Sequence, residues 1–472
     1  MKPRVTPRWA CSLAMTSALV AGSGGSPVAS GAAVASNVTV NFGKVAGSVS
    51  PRQFGLDVTG YGPGYVTGDP TEDAMLRGRY GVMRMGLKYK TPGNPSSPII
   101  ANGTGANQSI TGDQWVTAIK KLGATPVVIV PPDVADAVNM VRHFNTGTTP
   151  DRVPEWIVGN EPDNPGSGDA TSAAAYAHAF NTISADMKKA DPTIKVGGPA
   201  AAFADFSYLQ TFLNISGSRT DFIDFHKYGE GGGTLLCDSA LLAGTAAWEQ
   251  NVSQIRTMIK TTPASKSRAS QISIQVGEYN TDWSTDNNPP SLAHCGNAGT
   301  APVQYRNVST VIDASVFLHL VRAGATGMTF GDHNGALGAL YDLPNASRPS
   351  YARNGAPQDG PMPAYLGEGF FTGIHGTSLA HFGTKLVQSA TTLSGVEVVA
   401  SASAKVIVLI NKGPKTRNAV VGVGSGLTKV AGFQKTSQNA SCALPSTLHL
   451  RLSGGQVAVT LPGYSVTQLV LS

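Results

Sequence analysis

The residues best suited to do chemistry stand at or near the ends of apolar runs. WIVGNEPDN (156–164) breaks from Trp-Ile-Val into an amide and two carboxylates, Asn160, Glu161 and Asp163. ISIQVGEYN (272–280) ends in the same manner on Glu278 and Tyr279. GVMRMG (81–86) carries Arg84 within an apolar run, and FIDFHKYG (222–229) supplies His226 and Tyr228. Two glutamates brought to one place are the pair that glycoside hydrolysis requires. One carboxyl is protonated to release the leaving oxygen, and the other is ionised to attack the anomeric carbon or to activate water. A guanidinium such as Arg84 beside a carboxylate favours its ionised form. Tyr228 can hydrogen-bond the same carboxylate, and Asn160 and Asp57 suit sugar hydroxyls. Tyr279 and Trp283 offer faces for a pyranose. His226 either joins them or is a hydrogen-bonded structural residue. Asp332 and His333 either touch substrate or cap a helix. GNEPD taken alone is also a run of turn formers, so the elements that carry these residues decide its meaning.

Those elements alternate. Short β-prone runs at 53–58, 81–86, 126–131, 155–158, 194–197, 222–226, 272–276 and 327–330 are separated in several places by helical patterns at 113–122, 172–190, 247–261 and 305–323. Eight strands interleaved with helices predict an α/β fold of the (β/α)8 TIM-barrel type over residues 51–345. In such barrels the chemistry gathers at the C-terminal ends of the strands. Asn160, Glu161, His226, Tyr228, Glu278, Asp332 and His333 all lie there. Residues 346–377 are rich in Pro, Gly and Asn at their start and predict a connection. From 378 to 472, short runs at 396–399, 405–411, 419–423, 448–452, 457–461 and 466–471 predict an additional antiparallel β-sandwich domain. Residues 36–50 contain one more strand, NVTVNFG, expected to join that sandwich.

Bulk properties narrow the class. The chain has 472 residues, 41% hydrophobic and 14% charged, which suits a large core and argues against disorder. Lys2, Arg4 and Arg8, an apolar stretch and Ala33-Val34-Ala35 predict an export signal over residues 1–35 and a secreted protein. Its apolar run is shorter than the ~20 residues of a membrane span. Beyond it the chain carries 32 basic and 29 acidic residues, a formal charge of +3. No Lys/Arg run stands out, so nucleic acid is not an expected partner. An exported chain permits a disulfide, expected between Cys237 and Cys295. No His/Cys/Asp cluster has metal-ligand spacing, and neither a metal nor a cofactor is expected.

Asn160-Glu161-Pro162 after the fourth strand, with Glu278 at the seventh, resembles the large clan of (β/α)8 retaining glycoside hydrolases. That resemblance implies Glu161 as acid/base and Glu278 as nucleophile, with Arg84 and Tyr228 holding the nucleophile. GNEPD, ATGMTFGDHNG (325–335), GPMPAYLG (360–367) and LPGYSVTQLVL (461–471) look most like family 79, the β-glucuronidase and heparanase group. Family 39 also couples this barrel to a β-sandwich and is the rival. The resemblance implies a carbohydrate partner, double displacement and an exo-acting β-glucuronidase-like activity. The family 39 alternative implies release of xylose, glucose or arabinose. A carbohydrate-binding protein on an inactive barrel, or a cell-surface protein working through its sandwich, are the readings from other classes.

Overall fold

The computed structural model describes residues 35–58, 64–103, 106–146, 152–230, 236–283, 303–331, 338–340, 360–437, 439 and 442–472. Strand β1 (Val38–Ser48) precedes the barrel. Then follow β2 (Phe54–Val58), β3 (Val82–Tyr89), the short β4 (Ile99–Ala101), β5 (Thr125–Val130), β6 (Glu155–Val158), β7 (Lys195–Ala201), β8 (Phe222–Glu230), β9 (Ser273–Asp282) and β10 (Thr326–Phe330). Except for β4, which pairs antiparallel with β3, these strands from β2 onward are joined in parallel, and the β2–β3 and β10–β2 pairings close them into an eight-stranded barrel. All eight strand regions anticipated from the sequence are present, and β8 and β9 continue through their catalytic candidates rather than stopping before them.

The barrel interior is layered. Val82, Val127, Ile129, Ile157, Ala200, Phe222 and Met328 form a small apolar cluster of their own within it. One pleat further along, at the same two-residue period, Arg84 follows Val82 and Asp224 and His226 follow Phe222. The alternate residues, Met83, Met85, Ile223 and Phe225, belong to the large core outside the barrel wall. Helices cover that wall. Ala173–Ala190 is capped by Ser172, whose side chain accepts from the Ala175 amide, and ends on Lys188 and Lys189, which suit the negative end of a helix dipole. Val134–Val141 and Phe206–Ser216, which the sequence patterns did not single out, complete the same layer.

The C-terminal strands are β11 (Lys385–Thr391), β12 (Val396–Ser401), β13 (Val406–Asn411), β14 (Arg417–Gly422), β15 (Val430–Thr436), β16 (Ser446–Leu448), β17 (Leu452–Ser453), β18 (Gln456–Leu461) and β19 (Ser465–Leu471). With β1 inserted between β11 and β14, they make a ten-stranded sheet in the order β16-β15-β19-β13-β12-β11-β1-β14-β18-β17 among the described residues. It is antiparallel apart from the β1–β14 pairing. Strand β13 explains the near-continuous apolar run VIVLI. Ile407 and Leu409 face the core of the sheet domain, while Val406, Val408 and Ile410 face the barrel side. The helix Asn307–Ala323 lies between the two and is buried along almost its entire length. Part of the span expected as a connection is helical: Pro363–Thr372 packs against Asn307–Ala323, and all ten of its residues are buried. The N-terminal segment to residue 34, Cys295 of the expected disulfide and residues 346–359 lie outside the described residues.

A buried charged group joins barrel to sheet. His319 contacts Glu249 through Nδ1 at 2.6 Å and Glu397 of β12 through Nε2 at 3.1 Å. Lys412 and the Ser315 hydroxyl also bind Glu397. Burial opposes the imidazolium, but the two glutamates prevail and raise His319 above its ordinary 6.5. Burial likewise opposes the Glu397 anion, yet His319 and Lys412 hold it down to about 2. A raised histidine stabilises the fold below 6.5 and ceases to as pH climbs through the folded value; a depressed glutamate stabilises above 4.5 and ceases to as pH falls toward 2. Both contributions are present together between about pH 4.5 and 6.5. His319→Ala is expected to lower the unfolding free energy by about 3 kcal/mol in that window and by less near pH 9. Denaturant unfolding at the two pH values checks this, and a pH-independent loss contradicts it.

Candidate active site

The turn after β6 presents the first carboxylate. Gly159 and Glu161 both take left-handed backbone angles, φ 70 and φ 50. For a glutamate this conformation is strained, and such strain gathers at functional sites. It is held by surrounding bonds. The Glu161 amide donates to Ala200 O at 2.9 Å, the Asn160 amide to Asp169 Oδ2 at 2.8 Å, and the Ser167 hydroxyl to Asn160 O at 2.8 Å. GNEPD is thus a turn and also the device that aims Glu161 over the barrel.

The second carboxylate depends on a bulge. On β9, Ile274 and Val276 face the outer core, and strict alternation would send Glu278 after them. Instead Phe225 pairs with Val276 and His226 pairs with Glu278, so β9 holds one extra residue, Gly277. That extra residue flips the alternation. Glu278 turns inward and Tyr279 turns outward. Gly277 is a glycine because a Cβ there would overlap the Asp224 carboxylate.

Arg84 gathers the site. Its side chain is 1% exposed. Nη1 donates to Asp57 and to Glu278 Oε1 at 2.7 Å; Nη2 donates to Asn160 Oδ1 at 2.6 Å and meets His226 Nε2 at 3.0 Å. A donor at Nε2 favours the tautomer with its proton on Nδ1. Nδ1 faces both glutamates, at 3.0 Å from Glu161 Oε1 and 3.5 Å from Glu278 Oε2. Tyr228 OH donates to Glu278 Oε2 at 2.9 Å, and Asn164 Nδ2 donates to Glu161 Oε2 at 2.9 Å.

Four carboxyls crowd Arg84 and His226, and burial sorts them. Asp57 is pushed up to about 8, foremost by burial against the opposing pull of Arg84. Asp224, also buried, is pushed up to about 6. Both are shifted toward the neutral form, Asp57 further than Asp224. Burial would raise Glu161 too, but the His226 hydrogen bond and charge, with Asn164 and Arg84, bring it below 4.5. Burial and then Glu278 raise Tyr228 well above 10, so it remains a neutral donor. Glu161, His226 and Glu278 also offer ligand atoms within 4.8 Å of one another. The Arg84 guanidinium already in contact with two of them makes that spot unfavourable for a second cation.

Among the sequence candidates, the structure brings together Asp57, Arg84, Asn160, Glu161, His226, Tyr228 and Glu278. It does not bring in Tyr279, which is fully buried in the barrel wall and bonded to Glu368, the consequence of the same bulge. Trp283 stands at the end of β9 and is 53% exposed. Asp332 and His333 lie outside the described residues. Sequence reasoning missed Asn164, Asp169 and Asp224. The first two sit in an apparent loop, and Asp224 is revealed only by counting two residues back from His226 along a strand.

The family model described as "Glycosyl hydrolases family 39" matches residues 136–299, about a third of the chain. A comparison with curated proteins gives no match. The fold is shared with solved structures of low identity. An α-L-arabinofuranosidase from Thermotoga maritima in complex with arabinose is 15% identical, with a TM-score of 0.69 over 93% of this chain and 100% of that one. A family 51 α-L-arabinofuranosidase from Bifidobacterium longum is 13% identical, with a TM-score of 0.66 over 92% and 99%. A family 44 xyloglucanase from Paenibacillus polymyxa is 13% identical, with a TM-score of 0.63 over 92% and 99%. The partial family match together with these likenesses supports a glycoside hydrolase of the (β/α)8 clan, with family 39 rather than family 79 as the supported relative. The site geometry yields a test of its own. Gly277→Ala is expected to displace Glu278 and lower turnover by ~100-fold or more while the chain still folds. Circular dichroism and a release assay together check this; full activity in the variant contradicts the bulge argument.

Proposed function

We propose that this protein is a retaining glycoside hydrolase acting on a neutral sugar, with Glu161 as acid/base and Glu278 as nucleophile. The observation that carries the reading is the approach of one oxygen from each glutamate to within 4.8 Å. Retaining enzymes hold their carboxyls ~5–5.5 Å apart, whereas inverting ones leave ~6.5–9.5 Å for a water. In the first step Glu161 must carry a proton, which His226 disfavours; it gives that proton to the glycosidic oxygen as Glu278 attacks the anomeric carbon. The C–O bond to the leaving group breaks and a covalent glycosyl-enzyme forms. Glu161, now ionised, takes a proton from water, and the hydroxide so formed displaces Glu278 and restores the starting stereochemistry. Arg84 and Tyr228 orient Glu278 through both of its oxygens.

A neutral sugar fits the charges. At the centre of the site Arg84 and His226 are engaged by Asp57, Glu278, Asn160 and Glu161. Neither is left to receive a uronate carboxylate, which weighs against a β-glucuronide. The arabinofuranosidases sharing the fold and the family 39 match favour an α-L-arabinofuranoside or a β-xyloside. The basic and apolar N-terminal segment supports export, so the substrate is expected outside the cell.

Chromogenic α-L-arabinofuranoside, β-xyloside, β-glucoside and β-glucuronide test the reading. Turnover of one of the first three, lost by at least ~10³-fold in Glu278→Ala and recovered with azide, is the expected result. Turnover of the glucuronide alone contradicts the neutral-sugar assignment, and unchanged activity in Glu278→Ala contradicts the nucleophile. The acid must be protonated to act, so kcat/KM falls as pH rises through the Glu161 pKa. His226 lowers that pKa. His226→Asn is therefore expected to move the alkaline limb of the profile to higher pH, and a shift downward contradicts the assignment.

A further inference from the structure

Outside the barrel, directly behind the nucleophile strand, stands a carboxyl group that the reaction does not use. Glu368 lies in the helix Pro363–Thr372 and is 0% exposed. Tyr80 OH donates to its Oε2 at 2.6 Å, and Tyr279 OH donates to its Oε1 at 3.2 Å. Thr329 of β10 donates in turn to the Tyr279 hydroxyl at 2.8 Å. Tyr279 follows Glu278 on β9, and Tyr80 leads into β3, which carries Arg84. The next outward residue of β9 is held likewise: Thr281 Oγ1 lies 3.0 Å from Ser309 Oγ on the helix Asn307–Ala323.

We propose that Glu368 is a positioning residue: through Tyr279 and Tyr80 it braces the strand of Glu278 and the approach to the strand of Arg84, fixing that ion pair from outside the barrel. A bulge leaves one residue of the strand unpaired and disrupts the ladder where it occurs. The Gly277 bulge is what turns Glu278 inward, so the weakened stretch of β9 carries the nucleophile. Apolar packing alone constrains a strand less in direction than a set of hydrogen bonds does. A buried carboxyl is an unfavourable choice for a helix that needs only to cover a barrel, since a hydrocarbon of similar volume avoids desolvation. Burial raises the Glu368 carboxyl well above 4.5, toward its neutral form. Its geometry stands independently of the proposed function; its kinetic consequence rests on that reading.

Three variants test the role: Tyr279→Phe, which deletes one oxygen, Glu368→Leu, and the conservative Glu368→Gln. Amide hydrogen exchange at residues 277–280 is measured beside kcat and KM on the glycoside that wild type turns over. Tyr279→Phe and Glu368→Leu are expected to exchange these amides ~10-fold faster. They are also expected to lose ~10–100-fold in kcat with KM within about twofold, and Glu368→Gln to recover most of the loss. Unchanged exchange in folded Tyr279→Phe overturns the brace whatever the kinetics. Faster exchange with unchanged kcat overturns the positioning role. If wild type turns over no glycoside, the functional reading fails, and the exchange measurement still decides the brace.

Discussion

The site depends on where one buried guanidinium is held. Arg84 is enclosed in the barrel with Asp57, Asn160, His226 and Glu278 all in contact with it. Removing one partner of a buried ion pair is strongly unfavourable, so the arrangement is all or nothing. Its four partners come from barrel strands β2, β8 and β9 and from the turn after β6. A cation shared in this way turns separate strand ends into one site; burial raises Asp57 and Asp224 against its pull, while His226, Asn164 and Arg84 hold Glu161 below its ordinary range.

Two local departures from regular structure deliver the carboxylates to that cation. On one side the left-handed Glu161 turn lifts the acid/base candidate above the strand end. On the other, the Gly277 bulge reverses the pleat and brings Glu278 inside. Both are unfavourable by themselves, and both are surrounded by compensating bonds. The sheet domain contributes at a distance. It buries the helix Asn307–Ala323, which packs beside the Glu368 helix and carries His319 to Glu397 of the sheet. The order of dependence runs from sheet to helix, from helix to barrel wall, and from wall to Glu278.

Much of this was legible in the sequence because it follows from periodicity. Runs such as PVVIVP and EWIV are apolar on both faces, as strands buried between a barrel interior and its helices must be. Arg84, Glu161, His226, Tyr228 and Glu278 stand at or near the ends of such runs and were found there. Tyr279 was misplaced because strict alternation fails at a bulge, and a single glycine in VGEYN does not announce one. Asp224 and Glu368 were invisible for a related reason. Each is an acid inside an apolar run, and its meaning comes from partners dozens or hundreds of residues away. The helix Pro363–Thr372 was concealed by the Pro and Gly around it, although its residues are apolar enough to be buried all round.

The central claim is that two glutamates at this separation cleave by double displacement. The most direct measurement follows the anomer first released from the glycoside that is turned over, by proton NMR in the opening minutes before mutarotation. Release of the same anomeric configuration as the substrate is the outcome the carboxylate spacing predicts. Release of the opposite anomer contradicts it, and would require Glu278 to activate a water instead of attacking the anomeric carbon itself.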